Sequence, residues 1–221
     1  MATSGKDAAA ASPHPSPLAH HFQSLAKQTH ALRLGMWLFL ATEILLFGAL
    51  FVGYGVYRNL FHEGFAAASH HLDKILGTVD TYVLITSSFT MAMASHWARE
   101  RKYQLATVAL IVTILFGLGF LVIHSYEYYR DVMEGALPGR YFDVPEITAT
   151  GASMFYTLYY LMTGLHSIHV IIGVSVLGVL AVKTYRGHYN EEYDVPLEMG
   201  GMYWHLVDLI WIFLFPLLYL I

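Results

Sequence analysis

Residues 35–57, GMWLFLATEILLFGALFVGYGVY, form an apolar run long enough to cross a bilayer as an α-helix. A single carboxylate, Glu43, lies inside this run. At ~1.5 Å of rise per residue, Glu43 is roughly 12 Å from the start of the run, near the middle of a hydrocarbon core about 30 Å thick. Burying a lone acid there costs ~2.5 kcal/mol or more, so we expect Glu43 to have a polar partner, a bound proton or a function.

The rest of the 221-residue chain continues this pattern, since 56% of its residues are hydrophobic and only 13% are charged. These fractions exclude a soluble globular domain and indicate an integral membrane protein. Four further apolar runs of spanning length lie at 76–98, 105–126, 155–182 and 203–221. The sequence therefore predicts an all-α fold, an integral membrane bundle of five transmembrane helices over residues 34–221.

Residues 1–33 are rich in Ala, Ser, Pro and His and contain no apolar segment of signal-peptide length. We interpret them as a flexible cytoplasmic tail that leads into an interfacial segment. Positive residues give the orientation, because they concentrate on the cytoplasmic side of membrane proteins. Eight of them share the side of the N-terminus and four lie opposite, which predicts a cytoplasmic N-terminus and a periplasmic C-terminus. The eight are Lys6, Lys27, Arg33, Arg99, Arg101, Lys102, Lys183 and Arg186, and the four are Arg58, Lys74, Arg130 and Arg140.

Two features of the composition exclude other classes of protein. The chain has no cysteine, which excludes a disulfide framework, a thiolate metal site and the attachment of a c-type haem. Its formal net charge of −4 gives no sign of nucleic-acid binding, so we expect no nucleic-acid partner.

The fourth run contains two histidines, His166 and His169, in the segment TGLHSIHV. Counting from the outer end of this run, near Phe155, places His166 ~16 Å deep, at about the same height as Glu43, so we expect His166 to be the partner of that acid. The spacing of three also puts both imidazoles on one helix face, as metal sites require. Because two histidines are an incomplete ligand set, we expect hydrogen bonding between helices, with no haem, copper or zinc bound to this chain.

Other polar residues lie closer to the two membrane surfaces. His205 and Asp208 are three apart on the last run, in the inner third of the bilayer. They predict either a satisfied polar pair beside a Trp/Tyr interfacial anchor or a site that handles protons or lipid head groups. Asp80, His124 and Glu127 fall near the outer boundary, where water reaches, and we expect structural roles for them.

A basic cluster, Lys183, Arg186 and His188, follows the fourth run directly on the inner side. Such a cluster is the usual positive flank of a membrane span, and the same arrangement binds the phosphates of anionic lipids. We therefore expect an ordered phospholipid head group beside these three residues.

Taken together, the motifs resemble subunit III of the haem-copper oxidases, the family of cytochrome c oxidase and the related ubiquinol oxidases. The resemblance extends from about residue 34 to residue 221. The family's long form has seven spans, of which this chain matches the last five, as bacterial members commonly do. The motifs that carry the resemblance are WLFLATEILLFG at 37–48, HSYEYY at 124–129, TGLHSIHVIIG at 163–173 and LEMGGMYWHLVDLIWIFLFPLLY at 197–219.

The resemblance implies a subunit without redox cofactors in the cytoplasmic (inner) membrane of a bacterium. Such a subunit packs against the catalytic subunit I, with subunits II and IV as further partners, binds phospholipid, supports proton uptake and protects the active site. Haem and copper would lie in the partner subunits, and oxygen reduction there would be coupled to proton translocation. The family's buried acid corresponds to Glu43, its TG-H-x-x-H histidines to His166 and His169, its acid before the final span to Glu198, and its head-group region to Lys183 and His188.

Three alternatives to a subunit III of a cytochrome c-linked oxidase remain at this stage. Subunit III of a ubiquinol oxidase and the accessory protein of a nitric-oxide reductase share the same ancestry. The third is a membrane metalloenzyme of another class, which would use Glu43, His166, His169 and His205 as ligands.

Overall fold

The computed structural model describes residues 24–145, 147, 149–187 and 195–221. These residues form six α-helices, and a short 3-10 helix (Gly139–Tyr141) lies before the fifth. Five of the α-helices, all except α2, are long and apolar enough to span a membrane, which confirms the predicted all-α bundle. The helices are α1 (Leu25–Leu60), α2 (His62–His71), α3 (Lys74–Arg99), α4 (Tyr103–Met133), α5 (Ala152–Tyr185) and α6 (Val195–Tyr219).

The helices extend beyond the apolar runs that predict them. Helix α1 begins at Leu25, where the Ser24 hydroxyl oxygen accepts a hydrogen bond of 3.3 Å from the backbone N–H of Lys27. Residues 25–33, assigned above to the tail and interfacial segment, are therefore helical. Helix α4 continues to Met133 and α6 begins at Val195, so Glu127 and Glu198 both lie within helices. Hydropathy marks the hydrocarbon layer, whereas capping and polar turns extend a helix past it.

Helix α2 is a ten-residue element that the sequence pattern does not predict. It is too short to span a bilayer, and it packs against the beginning of α5. Gly64 allows this close approach, because a Cβ there would lie 2.3 Å from the carbonyl oxygen of Thr150. The buried ring of Phe65 contacts Tyr54 and Phe155 edge-on, which fixes α2 to α1 and α5.

The Trp204 side chain of α6 is fully buried and packs against α4 and α5. A Cβ added to Gly117 on α4 would lie 2.7 Å from the Trp204 ring, and one added to Gly173 on α5 would lie 2.9 Å from it. Small residues at helix contacts are the usual means by which membrane helices approach closely. The two glycines therefore set how near α4 and α5 come to α6.

We expect Gly173→Val to destabilise the bundle, because the added methyl groups would overlap the buried Trp204 ring. Overpacking of this kind costs about 1–3 kcal/mol. Gly178→Val is the matched control on the same helix, since a Cβ at Gly178 meets no atom within 4 Å. The midpoint of thermal unfolding in detergent should fall for the first variant and stay near wild type for the second. Equal midpoints for the two variants would contradict this packing.

Helix α1 is the least covered of the spans, since only 11% of the residues in its most apolar stretch are buried within the chain. Leu38, Leu45 and Val52 are 62%, 73% and 69% exposed. Side chains of this kind face lipid tails or a partner subunit in a membrane protein. The outer face of α1 is thus a contact surface with the surroundings of the bundle.

Candidate functional site

Glu43 is hydrogen-bonded across the bundle to His169, with 2.9 Å between Oε2 and Nε2. The other ring nitrogen of His169, Nδ1, lies 2.8 Å from the carbonyl oxygen of Leu165. A carbonyl oxygen only accepts hydrogen bonds, so Nδ1 carries a proton. Nε2 then either accepts the proton of the Glu43 carboxyl group or, in an imidazolium, donates to the carboxylate. Both forms of the pair have zero net charge, which reduces the cost of placing the acid within the membrane.

The expectation that Glu43 has a polar partner on the fourth span is confirmed, but the expected partner, His166, is wrong. Three residues along an α-helix rotate the side-chain direction by about 60° and shift it by ~4.5 Å along the axis. His169 consequently faces α1. His166 faces the ring of Phe120 on α4 and the ring of Trp211 on α6, with centroid separations of 5.5 Å and 5.3 Å.

The histidines proposed for a metalloenzyme do not converge in the described part of the chain. His169 bonds Glu43, whereas His166 is fully buried among aromatic rings. His205 lies against α3, with Nδ1 2.7 Å from the Ser88 hydroxyl oxygen. A site made of Glu43, His166, His169 and His205 is therefore not formed, because each imidazole faces a different helix neighbour.

His205 and Asp208 both contact neighbouring serines of α3. The Ser87 hydroxyl donates to Asp208 Oδ2 over 3.3 Å and accepts a hydrogen bond of 3.1 Å from the indole N–H of Trp204. His205 and Ser88 form the adjacent contact. These bonds join α3 to α6 within the bundle, whereas Asp208 Oδ1 has no hydrogen-bond partner among the described residues.

Glu198 lies in the first turn of α6 and forms an ion pair of 2.9 Å with Arg33 of α1. An acid in the first turn of a helix also interacts favourably with the helix dipole. A pocket of about 340 Å³ lies where α3 ends and α6 begins, and its lining includes Glu198, His96, Arg99 and His205. This pocket gathers several protonatable groups in one place.

The basic cluster is only partly described. Lys183 lies in the last turn of α5 and Arg186 caps this helix, and both are exposed. His188 lies outside the described residues. Near Lys183, an apolar groove of about 450 Å³ lies between α1, α5 and α6, and its lining includes Met36, Ile172 and Leu180. Lys183 thus stands one turn beyond Leu180, at the end of an apolar groove.

A buried polar cluster of Asp80, His124 and Glu127, which we expected water to reach, lies between α3 and α4. Asp80 and Glu127 are fully buried, and the His124 side chain is 3% exposed, so water does not reach them from outside. His124 Nδ1 is 4.0 Å from Asp80 Oδ2 and 3.5 Å from Glu127 Oε2. The H-x-x-E spacing of His124 and Glu127 was the sequence signal that could have drawn attention to this cluster, since it places both on one helix face.

Asp73 joins the beginning of α3 to the last turn of α4. Its carboxylate caps α3 by accepting from the backbone N–H groups of Ile75 and Leu76, and it accepts a 2.8 Å hydrogen bond from Arg130. The Arg130 guanidinium, together with these backbone N–H groups, holds the pKa of Asp73 below its usual range. Arg130 thus forms an ion pair with Asp73.

Comparison with known proteins agrees with the motifs quoted above. The family model for cytochrome c oxidase subunit III matches residues 18–221. Cytochrome c oxidase subunit 3 of Thermostichus vulcanus is 32% identical over 189 residues, which cover 85% of this chain and 86% of that protein. Quinol oxidase subunit 3 of Bacillus spizizenii is 31% identical over 188 residues, covering 85% of each chain. The chain belongs to the cytochrome c oxidase subunit III family.

Proposed function

We propose that this chain is subunit III of a bacterial terminal oxidase that takes electrons from cytochrome c and couples oxygen reduction to proton translocation. Membership of the family makes it a multi-pass membrane subunit that partners other oxidase subunits. The observation that carries the proposal is that the family match extends over all five spans. We place the chain in the inner membrane, with a cytoplasmic N-terminus and a periplasmic C-terminus.

In this proposal the redox chemistry belongs to subunit I, and this chain carries no haem or copper. The incomplete convergence of Glu43, His166, His169 and His205 supports that assignment. The chain supports subunit I, its main partner, and contacts subunits II and IV at the edges of the complex. Its exposed apolar helix α1 supports a role in assembly, since such a face is covered by lipid or by another subunit.

Support for proton uptake comes from the pocket around Glu198 at the inner end of α3 and α6. Glu198, His96 and His205 are protonatable side chains that line this pocket, and protonatable groups at a surface raise the local supply of protons. The neutral pair of Glu43 and His169 holds one exchangeable proton between two helices. We assign to these groups a supporting role, with the proton-conducting path itself in subunit I.

The electron donor separates this proposal from its nearest rival. The description of the matching family and the relative from Thermostichus vulcanus support cytochrome c, whereas the relative from Bacillus spizizenii supports a quinol. The native complex should be purified through a tag on this chain and its haems reduced with each donor in turn. Haem reduction by cytochrome c supports the proposal, reduction by quinol alone supports a quinol oxidase, and nitric-oxide reduction without oxygen reduction would refute both.

We also propose that a phospholipid binds with its phosphate at Lys183, Arg186 and His188 and an acyl chain in the groove beside Leu180. Each basic group near an anionic surface contributes about 1 kcal/mol of attraction. Lys183→Ala combined with Arg186→Ala should lower the number of anionic lipids retained after delipidation, as counted by native mass spectrometry. Arg99→Ala is the matched control, because Arg99 is also basic and at the inner surface but lines the polar pocket. Unchanged lipid retention in the double variant would contradict the site.

A further inference from the structure

Asp80, His124 and Glu127 bring three metal-ligating groups together inside the bundle. One atom from each side chain, an imidazole nitrogen or a carboxylate oxygen, lies within 4.8 Å of the other two. Asp80 comes from α3, and His124 and Glu127 come from one face of α4. All three side chains are at least 97% buried, so they are closed off from water on the outside of the bundle.

The polar atoms of this cluster have unusually few partners among the described residues. Both oxygens of Asp80, both ring nitrogens of His124 and Oε1 of Glu127 form no hydrogen bond there. Burying an unpaired carboxylate such as that of Asp80 costs several kcal/mol, and two carboxylates beside one imidazole leave an excess of negative charge. Arg130, the basic residue one turn beyond Glu127, is engaged with Asp73 at 2.8 Å. A positive charge from another source is needed.

The geometry is close to that of a metal site. Bonds of ~2.0–2.1 Å at tetrahedral angles place neighbouring ligand atoms about 3.4 Å apart. The 3.5 Å separation of His124 Nδ1 from Glu127 Oε2 agrees with this value, and the 4.0 Å separation from Asp80 Oδ2 needs a shift of about half an ångström. The carboxylate oxygens of Asp80 and Glu127 lie within 4.8 Å of each other, and they too must come to about 3.4 Å when a metal binds.

Neighbouring side chains hold two of the three groups in place. The Tyr219 hydroxyl donates a 2.8 Å hydrogen bond to Glu127 Oε2, which orients that carboxylate. The ring of Phe120 stacks on His124 with an interplanar angle of 9°, and Trp211 meets the same imidazole edge-on. Contacts of this kind around a metal ligand fix its orientation and tune its affinity.

We propose that Asp80, His124 and Glu127 bind one divalent cation of the zinc class. Two carboxylates and a neutral imidazole balance the double positive charge, so the occupied site is neutral within the membrane. Zinc is favoured because a set of one imidazole and two carboxylates matches its usual nitrogen and oxygen ligands. This inference goes beyond the proposed oxidase function and revises the expectation of a zinc-free chain, which considered only His166 and His169.

The test is the zinc content of the native complex, purified in chelator-treated buffer and measured by plasma mass spectrometry. We expect about one zinc per copy of this chain, and at least a tenfold loss in each of Asp80→Asn, His124→Gln and Glu127→Gln. Asp131→Asn is the matched control, because Asp131 is also a buried acid of α4 with unpartnered oxygens but lies outside the ligand group. Its zinc content should equal that of the wild type.

A second measurement on the wild-type complex keeps the test valid if the variants fail to assemble. X-ray absorption at the zinc edge should show a shell of nitrogen and oxygen atoms with one imidazole. The proposal would be overturned if the wild-type complex contained no zinc. It would also be overturned if the three variants kept the zinc of the wild type. An infrared band of a protonated carboxyl group that disappears in Asp80→Asn would also overturn it, since bound protons would then supply the missing positive charge.

Discussion

An oxidase complex from which this chain is removed should reduce oxygen at a nearly normal initial rate and then lose activity faster than the intact complex. The expectation follows from the assignment of all haem and copper to the partner subunits, since electron transfer then needs no group of this chain. What this chain supports is the length of time for which the complex stays active during turnover. At high pH, where protons are scarce, proton uptake should also slow, because the protonatable groups around Glu198 would no longer collect protons near the inner surface.

The decisive measurement is turnover against time for complexes with and without the chain, at neutral and at alkaline pH. Adding back the purified wild-type chain is the control, and it should restore the lifetime of activity. Adding back a chain that carries Glu198→Ala should restore the lifetime of activity at neutral pH but restore it less fully at alkaline pH. Loss of oxygen reduction at the first turnover, with the haem and copper of subunit I intact, would show that this chain takes part in the chemistry.

The membrane spans were predictable because hydrocarbon imposes a simple rule. A helix that crosses it needs about 20 apolar residues in a row, and residues 35–57 satisfy this rule without any knowledge of packing. Helix α2 could not be found in this way. Its position depends on Gly64 packing against the backbone at Thr150 and on Phe65 contacting Phe155, and hydropathy does not record contacts between distant segments.

The partner of Glu43 was half predictable. Depth along a helix is readable from sequence, and it identified the correct span for the partner. The rotation of α5 about its axis decides between His166 and His169, and that rotation depends on how Phe120 and Trp211 pack against α5. Those contacts join three different helices, so no local pattern contains them.

The access of water to Asp80, His124 and Glu127 was wrongly predicted for a related reason. Counting residues put these groups near the surface, but aromatic side chains of α4 and α6 pack around them: Phe120, Tyr128, Trp211 and Tyr219. Depth within a bilayer and depth within a protein are different quantities, and only the second decides whether water reaches a side chain. A pattern of polar residues at one height on two spans is thus a better indicator of a buried site than either span alone.

The pair of Glu43 and His169 should give the second large effect. His169→Leu leaves the Glu43 carboxyl group without its partner inside the membrane, which should destabilise the bundle by about 1–3 kcal/mol. Glu43→Gln should cost less, because the amide keeps the shape of the side chain and donates to Nε2 of His169. Replacing both residues by Leu should recover part of the loss, since neither polar group then remains unpaired in lipid.

These differences can be measured by heating the purified complex and recording, on native gels, the temperature at which this chain is lost from it. The combination of Glu43→Leu with His205→Leu is the control, because His205 bonds Ser88 and has no contact with Glu43. Its two effects should add, as expected for independent sites. The combination of Glu43→Leu with His169→Leu should be less harmful than the sum of its single variants, since each single change strands the other group. If those two effects are also additive, Glu43 and His169 act independently, and the acid must be stabilised in the membrane by a bound proton alone.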